Sequence, residues 1–349
     1  MLQSSERDVS LSLLFCLTTV RVAVVEELIM NRIGLVTSGG DAPGMNAAIR
    51  AVTRVACSKR MEVLGFERGW DGILFNKFKA LTPRNVGGIL HLGGTILKTS
   101  RSPEFRTPEG LKKAAENLAE DGVEGLVVVG GDGSMNGGLA LSKFSDVAVV
   151  GIPATIDNDV YGTEETIGFD TAVNTAIDEI DKIRDTASAH ERVFVVEVMG
   201  RKRGFLALTI GLTVGAEVIL VPEVDFTVKE VVETLQINRD IGKKSGIIVA
   251  AEGVGDTREL ISEIGKMEDT EARLSVIGYA QRGGNPSARS RLLANLFADK
   301  AVTLLKNGEK NRMVALQNGK VTSLRLQEVV SNKKQLDLYL MQLAKMLSI

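Results

Sequence analysis

The run Gly130-Gly131-Asp132-Gly133-Ser134, followed downstream by Pro153-Ala154-Thr155-Ile156-Asp157-Asn158-Asp159, sets glycine-rich backbone beside clustered carboxylates, the residue types that phosphoryl transfer needs. Glycines lack Cβ atoms, so main-chain N–H groups in such a run approach phosphate oxygens closely, and Asp132 can hold the Mg²⁺ that offsets their charge. Among Asp132, Asp157 and Asp159, one carboxylate can bind metal and another can accept the proton of an attacking hydroxyl. Each motif alone has a plainer reading. Gly-Gly-Asp-Gly also serves as a tight turn, and an Asx-rich segment also caps a following helix.

The apolar runs at residues 126–129 and 147–152 precede these motifs and read as buried parallel strands. They deliver both motifs to strand carboxyl ends, where open α/β sheets bind ligands, and the carboxylates converge if the two strands are close. NAD kinases and lipid kinases carry a turn similar to the first motif. A third strand, residues 33–36, leads into Thr37-Ser38-Gly39-Gly40-Asp41-Ala42-Pro43-Gly44-Met45-Asn46. The spacing predicts a helix over residues 47–57 whose N-terminus aims at an anion. This segment matches neither the Gly-x-Gly-x-x-Gly nor the Gly-x-x-x-x-Gly-Lys-Ser/Thr template. Further strand-like runs at residues 63–66, 193–196, 218–221 and 246–251 alternate with helical patterns, predicting a layered α/β protein with mostly parallel sheets.

With 349 residues, 44% of them hydrophobic and 25% charged, the chain is long enough for two cores. A net charge of -2 without a long basic tract argues against a general nucleic-acid binder. Cys16 and Cys57 suggest no disulfide framework, which points to the cytoplasm. The apolar stretch at residues 11–25 is interrupted by Arg21 and is shorter than the roughly 20 residues needed to span a bilayer, so no membrane association is expected. His91 reads as a packed helix-end residue.

Residues 37–50, Gly130 to Ser134, Pro153 to Asp159, Arg184-Asp185-Thr186, Val196-Glu197-Val198-Met199-Gly200-Arg201 and Gln281-Arg282-Gly283-Gly284 together resemble bacterial-type 6-phosphofructokinases. The likeness runs from about Met30 to about Gly319. It implies two Rossmann-like three-layer sandwich domains, each discontinuous. Residues 30–167 with 280–331 would bind ATP, residues 168–279 with 332–349 would bind fructose 6-phosphate, and residues 1–29 would be a non-family extension.

By that resemblance Gly40, Arg101, Ser102, Gly131, Asp132, Gly133 and Ser134 line the ATP site, with Asp132 on Mg²⁺. Asp157 is the catalytic base, Thr155 contacts the sugar side, and Arg201, after Met199 and Gly200, stabilises the transferring phosphoryl group. Arg192, Arg273 and Arg282 hold the 6-phosphate, Glu252 receives sugar hydroxyls, and Tyr279 stands where the family places a histidine. The equivalents of Arg192 and Arg273 come from a neighbouring subunit, implying a homotetramer with shared active sites. Gly133 and Ala154 occupy positions where pyrophosphate-using relatives carry Asp and Lys, which favours ATP as donor. Activator-site positions survive at Arg50, Arg54, Arg184, Glu217, Lys243 and Lys244, whereas Pro83, Gly88, Ile241 and Ser245 replace charged or histidine contacts. ADP or phosphoenolpyruvate control is then expected to be weak, altered or absent. Three alternatives stay open at this point: a pyrophosphate-dependent enzyme, a kinase of another sugar phosphate, and a silent nucleotide-sensing paralogue.

Overall fold

The computed structural model describes residues 30–267 and 270–348, so the extension at residues 1–29, with Cys16 and the apolar stretch 11–25, lies outside the described residues. The β-branched apolar runs become the inner strands of two sheets. The chain begins with β1 (Arg32–Ser38), α1 (Met45–Ser58), β2 (Glu62–Phe66), α2 (Trp70–Leu74) and β3 (Phe78–Leu81). It continues through α3 (Pro108–Glu120), β4 (Gly125–Gly130), α4 (Asp132–Leu141), β5 (Ala148–Thr155) and the short β6 (Ile167–Gly168). After α5 (Phe169–Ala189), a second sheet is laid down from β7 (Arg192–Val198), α6 (Phe205–Thr213), β8 (Val218–Leu220), α7 (Val228–Asp240), β9 (Gly246–Ala251), α8 (Arg258–Ile264) and β10 (Glu271–Val276). The chain then returns to the first sheet with α9 (Ala288–Lys306), β11 (Arg312–Gln317), β12 (Lys320–Arg325) and α10 (Leu326–Ser331), and ends in α11 (Leu338–Leu347).

The first sheet has the order β12-β11-β5-β4-β1-β2-β3, with β6 added beside β5. Its inner strands are parallel, and antiparallel β3 and β12 close its two ends. Alternate residues of each strand face opposite layers, as the two-residue strand period requires. Leu35, Val127, Val129 and Val150 pack with residues of α1 and α9, whereas Val36, Leu126, Val128 and Val149 pack with residues of α2, α3 and α10. The second sheet, β10-β7-β9-β8, is wholly parallel and is sandwiched the same way. Val196, Val198, Ile247 and Val249 join the core with α5 and α6, and Val193, Val195 and Ile248 join that with α7 and α8. Both units are therefore three-layer α/β sandwiches. One apolar cluster runs continuously from the α1–α9 layer into the α5–α6 layer, fusing the units through a shared core.

Strand register sets the site. Ser38 pairs with Gly130, and Gly130 with Pro153, so the carboxyl ends of β1, β4 and β5 lie side by side. One expectation fails in the long connection after β3: His91 is exposed in a turn, not packed at a helix end. Side-chain anchoring replaces helical bonding there. Asn46 Nδ2 donates to the Leu92 and Gly93 carbonyls, and its Oδ1 accepts from the Ile96 amide at 2.7 Å.

Candidate active site

Gly130 ends β4 and α4 begins at Asp132, so the glycine-rich motif is a strand running directly into a helix N-terminus. A Cβ on Gly130 would lie 2.4 Å from the Ser38 carbonyl oxygen, which is why only glycine lets β1 and β4 end this close together. Ser134 Oγ donates to the same carbonyl at 2.9 Å and pins the first turn of α4 to β1. Gly131 supplies no side-chain cap, which leaves the helix N-terminus open to an anion, and nothing stands within 4 Å of a Cβ placed on Gly133. Gly40 and Asp41 lie in the loop after β1, with Arg282 Nη1 3.7 Å from the Asp41 carboxylate and against Gly40.

The N-terminus of α1 departs from expectation. Met45 and Asn46 are buried, and Gly44, at φ 107°, is packed against Ile167 and Ser290. This helix start therefore docks onto β6 and α9, and it is α4 that offers its N-terminus to an anion. Ser102 is also buried, its Oγ accepting from the Phe105 amide in a turn of 3-10 helix, whereas Arg101 beside it is exposed.

Asp157 is only 3% exposed, and its Oδ1 has no hydrogen-bond partner. Burial first, and the neighbouring Asp159 charge second, push its carboxyl up to about 6 against the pull of Arg201 and Arg282. Asp132 is likewise raised, by burial and then by Asp159, so the three carboxylates do converge. Arg201 Nε reaches Asp157 Oδ2 at 3.3 Å across the gap between the two units. The arginine sits at φ 54°, its amide donates to Glu252 Oε1 at 2.6 Å, and Gly253 lies so close that a Cβ there would be 2.2 Å from the Arg201 carbonyl. Thr155 Oγ1 accepts from the Asp157 amide at 3.2 Å and steadies the turn.

Gln281, to which the sequence assigned no role, is fully buried and accepts from the Met199 amide at 2.8 Å, fixing the approach to Gly200 and Arg201. Its place beside Arg282 was the available signal. Tyr279 is 80% exposed, its ring 5.7 Å from the Arg282 guanidinium.

Arg192 and Arg273 lie elsewhere. Both pair with Glu271 at the amino end of β7 and β10, whereas Arg201 follows the carboxyl end of β7. Six strand steps of about 3.3 Å put Arg192 roughly 20 Å from that end. Within one protomer, Arg192 is thus held far from the strand end that precedes Arg201, and Arg273, beside Phe194 in β10, is tied to the same Glu271.

The activator-site positions divide between layers. Arg50 and Arg54 lie on α1, with Arg54 donating to the Pro83 carbonyl at 3.3 Å. Arg184 on α5 donates to the Val214 carbonyl at 2.5 Å. Lys243 is paired at 2.9 Å with Glu217, which is buried, and Lys244 at 3.0 Å with Glu191. Cys57 is half-buried and free, and burial pushes its thiol up. Among the described residues no helix is long and apolar enough to cross a membrane.

Residues 32–305 match the family model for phosphofructokinase. The chain is 50% identical over 320 residues to the ATP-dependent 6-phosphofructokinase of Bacillus velezensis, covering 92% of this chain and all of that one. It is 49% identical over 322 residues to ATP-dependent 6-phosphofructokinase 1 of Thermus thermophilus, again covering 92% of this chain and all of the relative. Phosphofructokinase from Saccharomyces cerevisiae superposes with a TM-score of 0.80 at 33% identity, over 86% of this chain and 45% of the yeast chain. A pyrophosphate-dependent phosphofructokinase from Marinobacter aquaeolei, at 21% identity and a TM-score of 0.79, shares the fold over 88% of this chain and 86% of its own.

Proposed function

This chain belongs to the phosphofructokinase family, and from that premise we propose that it transfers the γ-phosphoryl group of ATP to the 1-hydroxyl of fructose 6-phosphate, giving fructose 1,6-bisphosphate in glycolysis. The observation that carries the reading is the buried Asp157 carboxylate, with a free oxygen, facing Arg201 across the gap between the two units.

With its carboxyl held at about 6, Asp157 is largely ionised at neutral pH and is a stronger base than an exposed aspartate. Its unpartnered Oδ1 is the acceptor for the hydroxyl proton, which a loose transition state releases late. Arg201 holds the carboxylate in place before reaction and donates to the transferring phosphoryl group as charge spreads over its oxygens. The open N-terminus of α4, together with Gly40, Arg101 and Gly131 to Ser134, cradles the nucleotide phosphates. Met199, Gly200, Glu252, Tyr279 and Arg282 border the sugar side, where Thr155 steadies the catalytic turn.

The residues fit Mg²⁺. Asp132 is a hard oxygen donor, and both burial and Asp159 make added positive charge favourable there. Held there by Asp132, Mg²⁺ would offset charge on the transferring phosphates.

The position of Arg192 at the amino end of β7, with Arg273 held beside it through Glu271, supports a reading in which both serve the 6-phosphate of a neighbouring copy in a homotetramer with shared sites. The grouping of strands into two sheets supports a division into residues 30–167 with 280–331, and 168–279 with 332–349, although Gly168 of β6 still pairs with β5 of the first sheet. The pairing of Lys243 and Lys244 with Glu217 and Glu191 supports weak or altered effector control, and a glycolytic role favours a cytoplasmic setting. A coupled assay offering ATP and pyrophosphate separately with fructose 6-phosphate tests the whole reading. Turnover with ATP alone is expected, and turnover with pyrophosphate, or with neither, would refute it.

A further inference from the structure

The segment between α10 and α11, residues 332–337, runs from the first unit to the second: α10 packs on α4 and β12, and α11 on α6 and β8. Lys334 is its half-buried residue of interest. Its Nζ donates to the Glu164 carbonyl at 3.0 Å and lies 5.1 Å from the centre of the Phe205 ring. The same Glu164 carbonyl accepts from Asn158 Nδ2 at 3.1 Å, and Asn158, at φ 51°, is the residue between Asp157 and Asp159. Asn158 Oδ1 in turn accepts from the Thr166 amide at 3.1 Å. On the other side, Phe205 is the buried first residue of α6, four positions after Arg201. One ammonium thus touches the support of the catalytic carboxylate's turn and the helix that follows the catalytic arginine.

We propose that Lys334 is a positioning residue that fastens the Asp157–Asp159 turn to the start of α6, so that Asp157 and Arg201 meet in reactive register. The inference rests on phosphoryl transfer at Asp157. The side-chain amide of Asn158, whose backbone is left-handed, is held by the Glu164 carbonyl, and a cation sharing that carbonyl fixes its direction. The ammonium lies over an aromatic face, which orients the head without closing a bidentate pair. A misplacement of about 1 Å at reacting groups costs on the order of 10²-fold in rate while leaving substrate contacts in place.

The charges around Lys334 come mainly from one side. Asp159, Glu164 and Glu165 face it from the segment between β5 and β6, and Glu165 is itself bound by Arg289 of α9 at 2.8 Å. Lys333 precedes it on the strap. The sequence of α6 contains no ionisable side chain, and Arg203 just before it is paired with Glu223 at 3.7 Å. Burial outweighs the three carboxylates and pulls the ammonium down to about 8. The fastening is therefore charged at neutral pH and is lost as pH rises through about 8.

The test uses the full chain with Lys334→Met and Lys334→Arg, measuring kcat, both KM values, the pH profile and the thermal midpoint. Activity of the parent with ATP and fructose 6-phosphate reports separately on the proposed reaction. Expected for Lys334→Met is a kcat about 10- to 100-fold lower, with both KM values within about twofold of the parent. Lys334→Arg should keep at least about half of kcat and shift the alkaline fall near pH 8 to higher pH, because guanidinium stays charged. A kcat within about twofold in Lys334→Met overturns the proposal. So does a loss that spreads equally over both KM values and the thermal midpoint and is not rescued by arginine. If the methionine variant does not fold, the arginine variant decides: an alkaline fall that stays near pH 8 overturns the assignment, and its displacement sustains it.

Discussion

Replacing Asp157 by Asn should cost activity and add stability, and the two effects come from the same burial. An aspartate carboxyl moved from 3.8 to about 6 is disfavoured in its ionised form by about 3 kcal/mol relative to its protonated form. Between those two pH values the folded state binds more protons than the unfolded state, so this group makes stability fall as pH rises from about 4 to 6. At pH 7 the penalty is fully present. Asn removes the charge with almost no change in volume, and its carbonyl oxygen still accepts from Arg201, so the unliganded protein should gain about 1–3 kcal/mol at pH 7 and melt a few degrees higher. The pH slope contributed by this residue should vanish. The variant should also lose about 10²–10⁴-fold in kcat, since no base remains to take the hydroxyl proton. Thermal melts at pH 5 and 7, beside a coupled assay at saturating ATP and fructose 6-phosphate, read both effects. An Asp157→Asn protein less stable than the parent at pH 7 would refute the claim of stored electrostatic strain, and near-normal kcat would refute the base assignment.

Gly133→Asp should fold normally, because nothing occupies the space its Cβ enters, and yet lose ATP use through a carboxylate set against the nucleotide phosphates; unchanged ATP kinetics would overturn the donor argument. Arg192→Ala and Arg273→Ala should each raise the KM for fructose 6-phosphate about 10- to 100-fold, equivalent to about 1.5–3 kcal/mol for a lost charged partner. Mixing the Arg273→Ala protein with Asp157→Asn protein under subunit exchange should restore some activity. Hybrids that form and stay inactive would mean that the arginines act within their own subunit. Gly253→Ala should lower kcat at least about tenfold with little change in the KM for ATP, because the new Cβ collides with the Arg201 carbonyl and displaces the arginine. Parental kcat in that variant would show that the Arg201 backbone is held some other way.

The strands were legible because buried parallel strands are written as near-continuous apolar runs rich in Val and Ile: residues 126–129, 193–196 and 246–251 all became inner strands. The convergence of Asp132, Asp157 and Asp159 followed from two motifs placed at the ends of what proved to be adjacent strands. What escaped depends on partners distant in sequence. A helix start after a glycine-rich loop looks like an anion site, but whether the α1 N-terminus is open is decided by Ile167 and Ser290, more than a hundred residues away. Ser102 looks like any polar loop residue until the turn around Phe105 buries it. Lys334 sits in a polar run and reads as solvated, and only the approach of Glu164 and Phe205 gives it a fixed place.

The order in which the first sheet is completed has a bearing on synthesis. β5 ends at Thr155, and its neighbour β11 begins at Arg312, so about 150 residues, including the whole second sheet, are made between the two. At about 5–20 residues per second, β5 emerges from the ribosome roughly 10–30 s before β11, which pairs with it at Val150 and Gly151. For that interval a valine-rich segment exposes a row of unpaired amides and carbonyls that any similar strand can join. Slower translation over residues 156–311 lengthens the exposure, and neighbouring nascent chains on one message supply identical edges at high local concentration. The yield of properly assembled protein is thus expected to depend on elongation speed across the second sheet as well as on the stability of the finished fold.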